Sequence, residues 1–88
     1  HVVGDLLLQR VASILKSIVF GRDLVSRLSG DEFVLLLGSY HYDTIEVCVN
    51  QVLDKIRAAF SVPLYAGDHL LNITPSIGVQ IFPMPGCD

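Results

Sequence analysis

Apolar residues recur at three- and four-residue steps near the start of the chain, over residues 4–19. This spacing is that of an α-helix with one apolar face and one polar face. Asp5 falls in the predicted first turn, where a carboxylate interacts favourably with the helix dipole. Gly21 follows the last repeating position and predicts the end of the helix. The repeating positions are Leu7, Leu8, Val11, Leu15 and Ile18.

Two apolar runs that follow the helix predict a β-hairpin. Residues 24–28 alternate, and residues 33–37 form a continuous apolar run that predicts a central strand covered on both faces. Between them lies Ser29-Gly30-Asp31-Glu32, a turn that places two adjacent carboxylates beside a glycine. Glycine adopts positive φ without steric cost, so a Gly-Asp turn on its own is a common connection between two strands of a hairpin. Taken alone, this turn favours a structural role.

A second helix and a late strand are predicted in the other half of the chain. Helical spacing resumes over residues 45–60, with Asp43 or Thr44 able to cap the start and Pro63 closing the element. After a turn at residues 65–68, apolar and polar residues alternate over residues 71–81, which predicts a strand. Pro75 removes one donor from that strand and indicates a bulge or an unpaired stretch.

The composition excludes several classes of protein. The 88 residues, 51% hydrophobic, fit one small domain over residues 1–88. Six basic residues are scattered in a chain of net charge −3, so we expect no binding of DNA or RNA. No apolar run reaches the roughly 18 residues of a membrane span, so we expect no membrane contact. Cys48 and Cys87 have no metal-ligand spacing; a reduced pair, compatible with the cytoplasm, is the better interpretation.

The predicted order of helix, hairpin, helix and strand is that of an α+β fold, with helices packed on a mainly antiparallel sheet. Asp5, Arg27, the turn at residues 29–32 and Ser76-Ile77-Gly78 fall along the chain in the order found in GGDEF domains, the fold of diguanylate cyclases. The chain resembles that family over nearly its whole length, with Ser29 at the first glycine position of the signature. The resemblance implies a truncated nucleotidyl-cyclase-like fold that lacks the first strand and the last helix.

The resemblance also implies the residues of a site. Asp31 would bind Mg²⁺ (or Mn²⁺) and act in catalysis, with Glu32 as a second catalytic acid, although adjacent strand residues point to opposite faces. Gly30 and Ser29 would lie against the substrate phosphates. Asp5 would accept hydrogen bonds from the guanine edge, unless it serves only the helix dipole.

Some family members carry an inhibitory product site, written Arg-x-x-Asp, just upstream of the signature. Asp23 stands at the position of its acid, but Phe20 replaces the arginine and cannot make bidentate contacts. We expect this site to be degenerate. Arg27 beside the turn could orient a carboxylate or shield a strand face. The cluster at residues 40–43 favours a capped loop over a metal site.

These implications lead to two principal hypotheses about function. In the first, the chain is part of a diguanylate cyclase that condenses two GTP molecules into cyclic di-GMP as a homodimer, in bacterial signalling. Residues 58–83 look most like domains that precede a cyclic di-GMP phosphodiesterase (EAL) domain, so sensor and EAL neighbours are expected. In the second, the chain is a catalytically silent regulatory module that responds to GTP or cyclic di-GMP. A small α+β interaction domain is a third interpretation, and the 88 residues alone are predicted to be inactive.

Overall fold

The computed structural model describes residues 2–19, 23–38 and 42–82. The predicted helices and the predicted hairpin are confirmed, and the architecture is α+β. No helix in these ranges is both long enough and apolar enough to cross a membrane. The elements are α1 (Val2–Ile18), β1 (Leu24–Ser29), β2 (Glu32–Leu36), a short 3-10 helix (Tyr42–Thr44), α2 (Ile45–Ala59), β3 (Leu64–Ala66) and β4 (His69–Leu71).

A small core forms where the two helices meet the third strand. Leu15 and Ile18 of α1 pack with Ile56 of α2. Phe60, just after α2, and Leu64, the first residue of β3, complete the cluster. All five are less than a tenth exposed. Burial of one such side chain contributes about 1.5 to 3 kcal/mol, so this cluster holds α1 and α2 together. Ile14, Val25, Phe33, Leu35 and Ile73 are among the partly buried residues that pack around it.

The start of α2 differs from the prediction in detail. Thr44 stands at the N-cap position, but its side chain makes no capping hydrogen bond. The helix ends at Ala59, and the Phe60 amide bonds the carbonyl oxygen of Ile56 at 3.1 Å. Pro63 lies four residues after Ala59 and would prevent continuation of the helix, as expected.

Strands β1 and β2 pair antiparallel, with Leu24 opposite Leu36 and Arg27 opposite Phe33. Only one face of this hairpin packs against the core. The prediction that β2 is covered on both faces is wrong, because α1 lies on one side and no described element covers the other. The most exposed apolar side chains of the hairpin are Leu24, Leu28 and Leu36, which are 60%, 67% and 58% exposed.

The late strand predicted over residues 71–81 is wrong for most of its length. Strand β4 ends at Leu71, and residues 72–82 belong to no helix or strand. A strand needs hydrogen bonds from a neighbour, and the described part of the chain offers this segment none. Pro75 also removes a donor. Instead, β4 pairs with β3 in a second antiparallel hairpin, with Ala66 opposite His69.

Candidate functional site

The turn between β1 and β2 carries the residues on which the predicted chemistry depends. Gly30 has φ +47°, in the left-handed region that glycine adopts without strain. The register shifts between Arg27 and Ser29, so β1 carries one more residue than β2 opposite it. Such a bulge rotates the strand end and changes the direction in which the turn residues point. The turn is therefore an irregular hairpin end, and Asp31 lies at its tip.

The Arg27 side chain makes a hydrogen bond to the backbone of this turn. Its Nε donates a hydrogen bond of 2.6 Å to the Gly30 carbonyl oxygen. The sequence leaves two roles open for Arg27, orientation of a carboxylate and cover for a strand face. The structure gives it a third role, because the guanidinium holds the backbone of the turn. This hydrogen bond is not predicted from the sequence. The feature that could have indicated it is the arginine three residues before the turn glycine.

The two acids of the turn have different surroundings. The Ser29 hydroxyl donates a long hydrogen bond of 3.5 Å to Oε1 of Glu32. Glu32 also begins strand β2 and pairs with Ser29 in the ladder. Asp31 is exposed, and its carboxylate has no hydrogen bond or ion pair to the described residues. Asp31 is thus the acid that is open to a ligand, whereas Glu32 is partly engaged within the hairpin.

Asp5 lies in the first turn of α1 and is exposed, as the sequence predicts. Leu8 and Gln9, from the first half of α1, line the same cleft as Arg27 of β1. Because the chain leaves α1 at Ile18 and enters β1 at Leu24, this shared cleft indicates that β1 runs back along the helix. The turn and Asp5 therefore lie toward the same end of the helix and hairpin.

Asp23 has a role at the opposite end of the hairpin. Its Oδ1 accepts a hydrogen bond of 3.1 Å from the Gly38 amide. This bond joins the residue before β1 to a residue just after β2, and so ties the open end of the hairpin. Phe20, at the arginine position of the degenerate inhibitory site, lies outside the described residues. In the structure, Asp23 therefore stabilises the end of the hairpin, a role that requires no bound product.

The donor set for a metal ion is small. Among the described residues, no three His, Cys, Asp or Glu side chains lie together. Asp31 offers carboxylate oxygens, which Mg²⁺ prefers, and Mg²⁺ is commonly held by one or two carboxylates plus phosphates and water. The arrangement fits an ion that arrives with a phosphate ligand. It does not supply a cage made of protein ligands alone.

The remaining candidates contribute little. Cys48 is a half-buried free cysteine on α2, and Cys87 lies outside the described residues, so the predicted reduced pair stays a prediction. Of the cluster at residues 40–43, only Tyr42 and Asp43 fall in the described range, on the short 3-10 helix. Tyr40 and His41 lie outside that range.

A second Gly-Asp turn connects β3 to β4 and provides an internal comparison. Gly67 has φ +62°, and Asp68 follows it as Asp31 follows Gly30. This turn has no arginine three residues upstream and no acid after Asp68. A Gly-Asp pair is thus a common turn sequence wherever a hairpin needs a residue with positive φ. The surroundings of the first turn are what distinguish it.

Comparison with known proteins places these features in a family. The family model described as "Diguanylate cyclase, GGDEF domain" matches residues 1–88. The chain is 40% identical over 88 residues to the signaling protein YkoW of Bacillus subtilis, covering all of this chain and 11% of that protein. It is 34% identical over 86 residues to the bifunctional diguanylate cyclase/cyclic di-GMP phosphodiesterase MucR of Pseudomonas aeruginosa, covering 98% of this chain and 12% of MucR.

A third relative is diguanylate cyclase A of Treponema denticola, which is 32% identical over 84 residues, covering 93% of this chain and 21% of that protein. The chain therefore spans between about a tenth and about a fifth of the length of these three relatives. No solved structure matches the chain.

Proposed function

The chain belongs to the GGDEF domain family of diguanylate cyclases, and from this premise we propose that it forms part of a domain that condenses two GTP molecules into cyclic di-GMP. The observation that carries the proposal is the exposed carboxylate of Asp31, which has no hydrogen bond or ion pair among the described residues, on a turn that Arg27 fixes through the Gly30 carbonyl. The names of MucR and of diguanylate cyclase A support the reaction class.

The turn residues would act on the triphosphate. In the proposed reaction a 3′-hydroxyl attacks an α-phosphorus as pyrophosphate departs, and negative charge collects on the phosphoryl oxygens. A divalent ion such as Mg²⁺ or Mn²⁺, when bound, would neutralise that charge and lower the pKa of the attacking hydroxyl. Asp31 would supply a carboxylate ligand. Glu32 would be the second acid near the reacting groups, with Ser29 holding it in place.

The backbone of the turn would contact phosphate. A peptide group is planar and trans, so the amide of Asp31 points away from the Gly30 carbonyl that Arg27 holds. Gly30 has no side chain, and nothing lies within 4 Å of the place where a Cβ would stand. A phosphate oxygen can therefore approach the backbone here, which is how glycine-containing turns bind anions.

Asp5 would recognise the base. Guanine presents paired N1–H and N2–H donors, and an exposed carboxylate accepts both. Asp5 lies toward the end of the helix and hairpin that carries the turn, so one nucleotide could meet both. Two such sites, one from each subunit of a homodimer, would be needed to bring two GTP molecules together. An EAL domain and a sensor domain in the same cytoplasmic polypeptide are part of this proposal.

The proposal is tested with the complete natural polypeptide that carries these 88 residues, incubated with GTP and Mg²⁺. We expect cyclic di-GMP to form, and Asp31→Ala to reduce its rate at least about a hundredfold, in the range of a lost charge-stabilising group. Asp68→Ala is the matched control, because Asp68 follows a positive-φ glycine in the other hairpin. Equal losses in the two variants would contradict the proposal. Undiminished nucleotide binding without turnover would favour the catalytically silent regulatory module.

A further inference from the structure

A cleft of about 210 Å³ lies between α1 and the covered face of the β1–β2 hairpin. Its floor is apolar and half-buried, and its rim is polar and exposed. A cavity of about 150 Å³ accommodates a benzene ring, so this cleft has room for one aromatic ring and a small substituent. The floor consists of Leu8, Ala12, Val25 and Phe33, and the rim of Gln9, Lys16 and Arg27.

The charge around the cleft is opposite to that of the whole chain. The sequence carries nine acidic and six basic residues, yet the lining contains two cations and no acid. Lys16 makes no ion pair with any described residue. Arg27 uses Nε for the Gly30 carbonyl, which leaves the four N–H bonds of its terminal nitrogens as possible donors. A concave apolar surface beside two cations attracts a negatively charged ligand.

We propose that this cleft binds a small organic anion with a flat apolar body, of the class of aryl phosphates. The ring would lie on Ala12 and Phe33, and the anionic group would meet Lys16 and Arg27 at the rim. The Gln9 amide can both donate and accept a hydrogen bond to a polar ring substituent. Binding itself does not depend on the reaction proposed above, since it uses neither Asp5 nor Asp31, whereas a regulatory effect of that binding rests on the proposed function.

Binding at the cleft would also affect the neighbouring turn. The guanidinium that meets the anion is the one that holds the Gly30 carbonyl, and an exposed arginine otherwise samples many rotamers. An anion bound to its terminal nitrogens restricts those rotamers to the arrangement observed. The ligand would therefore order the turn that carries Asp31, and the cleft would be a regulatory site.

The test measures binding of phenyl phosphate to the complete polypeptide by calorimetry, without GTP and with a chelator in place of divalent ions. We expect phenyl phosphate to bind more tightly than either phenol or inorganic phosphate. Lys16→Gln and Gln9→Glu should each weaken binding about threefold to fivefold, as expected for exposed charge contacts. Arg10→Gln and Gln51→Glu, which make the same charge changes away from the cleft, should leave it unchanged.

Three outcomes overturn the cleft proposal: no binding of phenyl phosphate, equal binding of phenol, or equal losses in the cleft variants and their controls. The Asp31→Ala variant separates this inference from the proposed function. It should bind phenyl phosphate like the wild type while it loses cyclic di-GMP synthesis. If synthesis depends on Asp31 but phenyl phosphate does not bind, the proposed function is supported and the proposal that the cleft binds an aryl phosphate is refuted.

Discussion

Arg27 and Gly30 are joined across the β1–β2 turn by a hydrogen bond of 2.6 Å from Nε to the carbonyl oxygen. The carbonyl of Gly30 and the amide of Asp31 belong to one peptide group, so the arginine fixes the plane of that group. It thereby sets the direction of the Asp31 amide and restrains the backbone from which the Asp31 carboxylate extends. The catalytic geometry proposed for the turn depends on this bond.

We predict that Arg27→Lys slows cyclic di-GMP synthesis by the complete polypeptide about tenfold, mainly through kcat. Lysine keeps the positive charge but lacks the planar group with an Nε–H donor, so the Gly30 carbonyl loses its partner. NMR order parameters of the Gly30 and Asp31 amides should fall, because the turn backbone loses its restraint. Arg10→Lys on α1 is the control and should change neither quantity. A fully active Arg27→Lys enzyme would mean that the charge alone is sufficient.

Gly30 should tolerate little substitution even though it has space around it. A Cβ there meets nothing within 4 Å, so the cost of Gly30→Ala comes from φ +47° and not from a clash. We expect a loss of about 1 to 2 kcal/mol in the free energy of unfolding, because a left-handed backbone strains an L-residue by that amount. Denaturant titration of the 88-residue chain measures it.

Gly38 gives the matched comparison for that loss. It also has nothing within 4 Å of a built Cβ, and its φ lies outside the left-handed region. Gly38→Ala should therefore change the free energy of unfolding by less than about 0.5 kcal/mol. Similar losses at both glycines would show that φ is not the cause.

Asp23→Ala should loosen the open end of the hairpin. The variant removes the acceptor of the Gly38 amide, and a hydrogen bond of this kind contributes about 0.5 to 1.5 kcal/mol. We expect the Gly38 amide to exchange with solvent several-fold faster. Asp23→Asn keeps an Oδ1 acceptor and should exchange almost as slowly as the wild type. Cyclic di-GMP binding that is tight and lost in Asp23→Ala would instead revive the inhibitory site.

The isolated 88-residue chain should self-associate through the uncovered face of the hairpin. Leu24, Leu28 and Leu36 expose more than half of their surface there, and contiguous apolar surface of this kind promotes association. Light scattering should report oligomers that decrease when Leu24 and Leu36 are both replaced by threonine. The same pair of substitutions should leave the core intact, because neither side chain belongs to it. A monodisperse monomer at high concentration would refute the prediction.

The local elements could be read from the sequence because their signals are local. The three- and four-residue spacing that includes Leu15 and Ile18 defines α1, and Gly30 with its apolar flanks defines the first hairpin. The β2 pattern could not reveal which faces are covered, because five apolar residues in a row look alike whether one or two layers pack on them. The structure shows β2 alternating between exposed and half-buried.

The strand predicted from the alternation of apolar and polar residues over residues 71–81 is wrong for a related reason. Period-two spacing of apolar residues permits a strand, but hydrogen bonds from another strand create it. Similarly, the sequence located the candidate turn and its acids, yet gave no means of knowing that Arg27 would bond the Gly30 carbonyl. That contact depends on the register of β1 with β2, which only the paired strands define.

The extra residue in β1 has a consequence for engineering. Deleting Leu28, an exposed side chain at the register shift, would give an uninterrupted ladder and a hairpin that is easier to form. A one-residue change of register turns every later side chain to the opposite side, so the acid at the tip would face the wrong way. A variant selected for a more stable hairpin would therefore be expected to lose the activity proposed for the turn, because the irregularity in β1 sets the direction of Asp31.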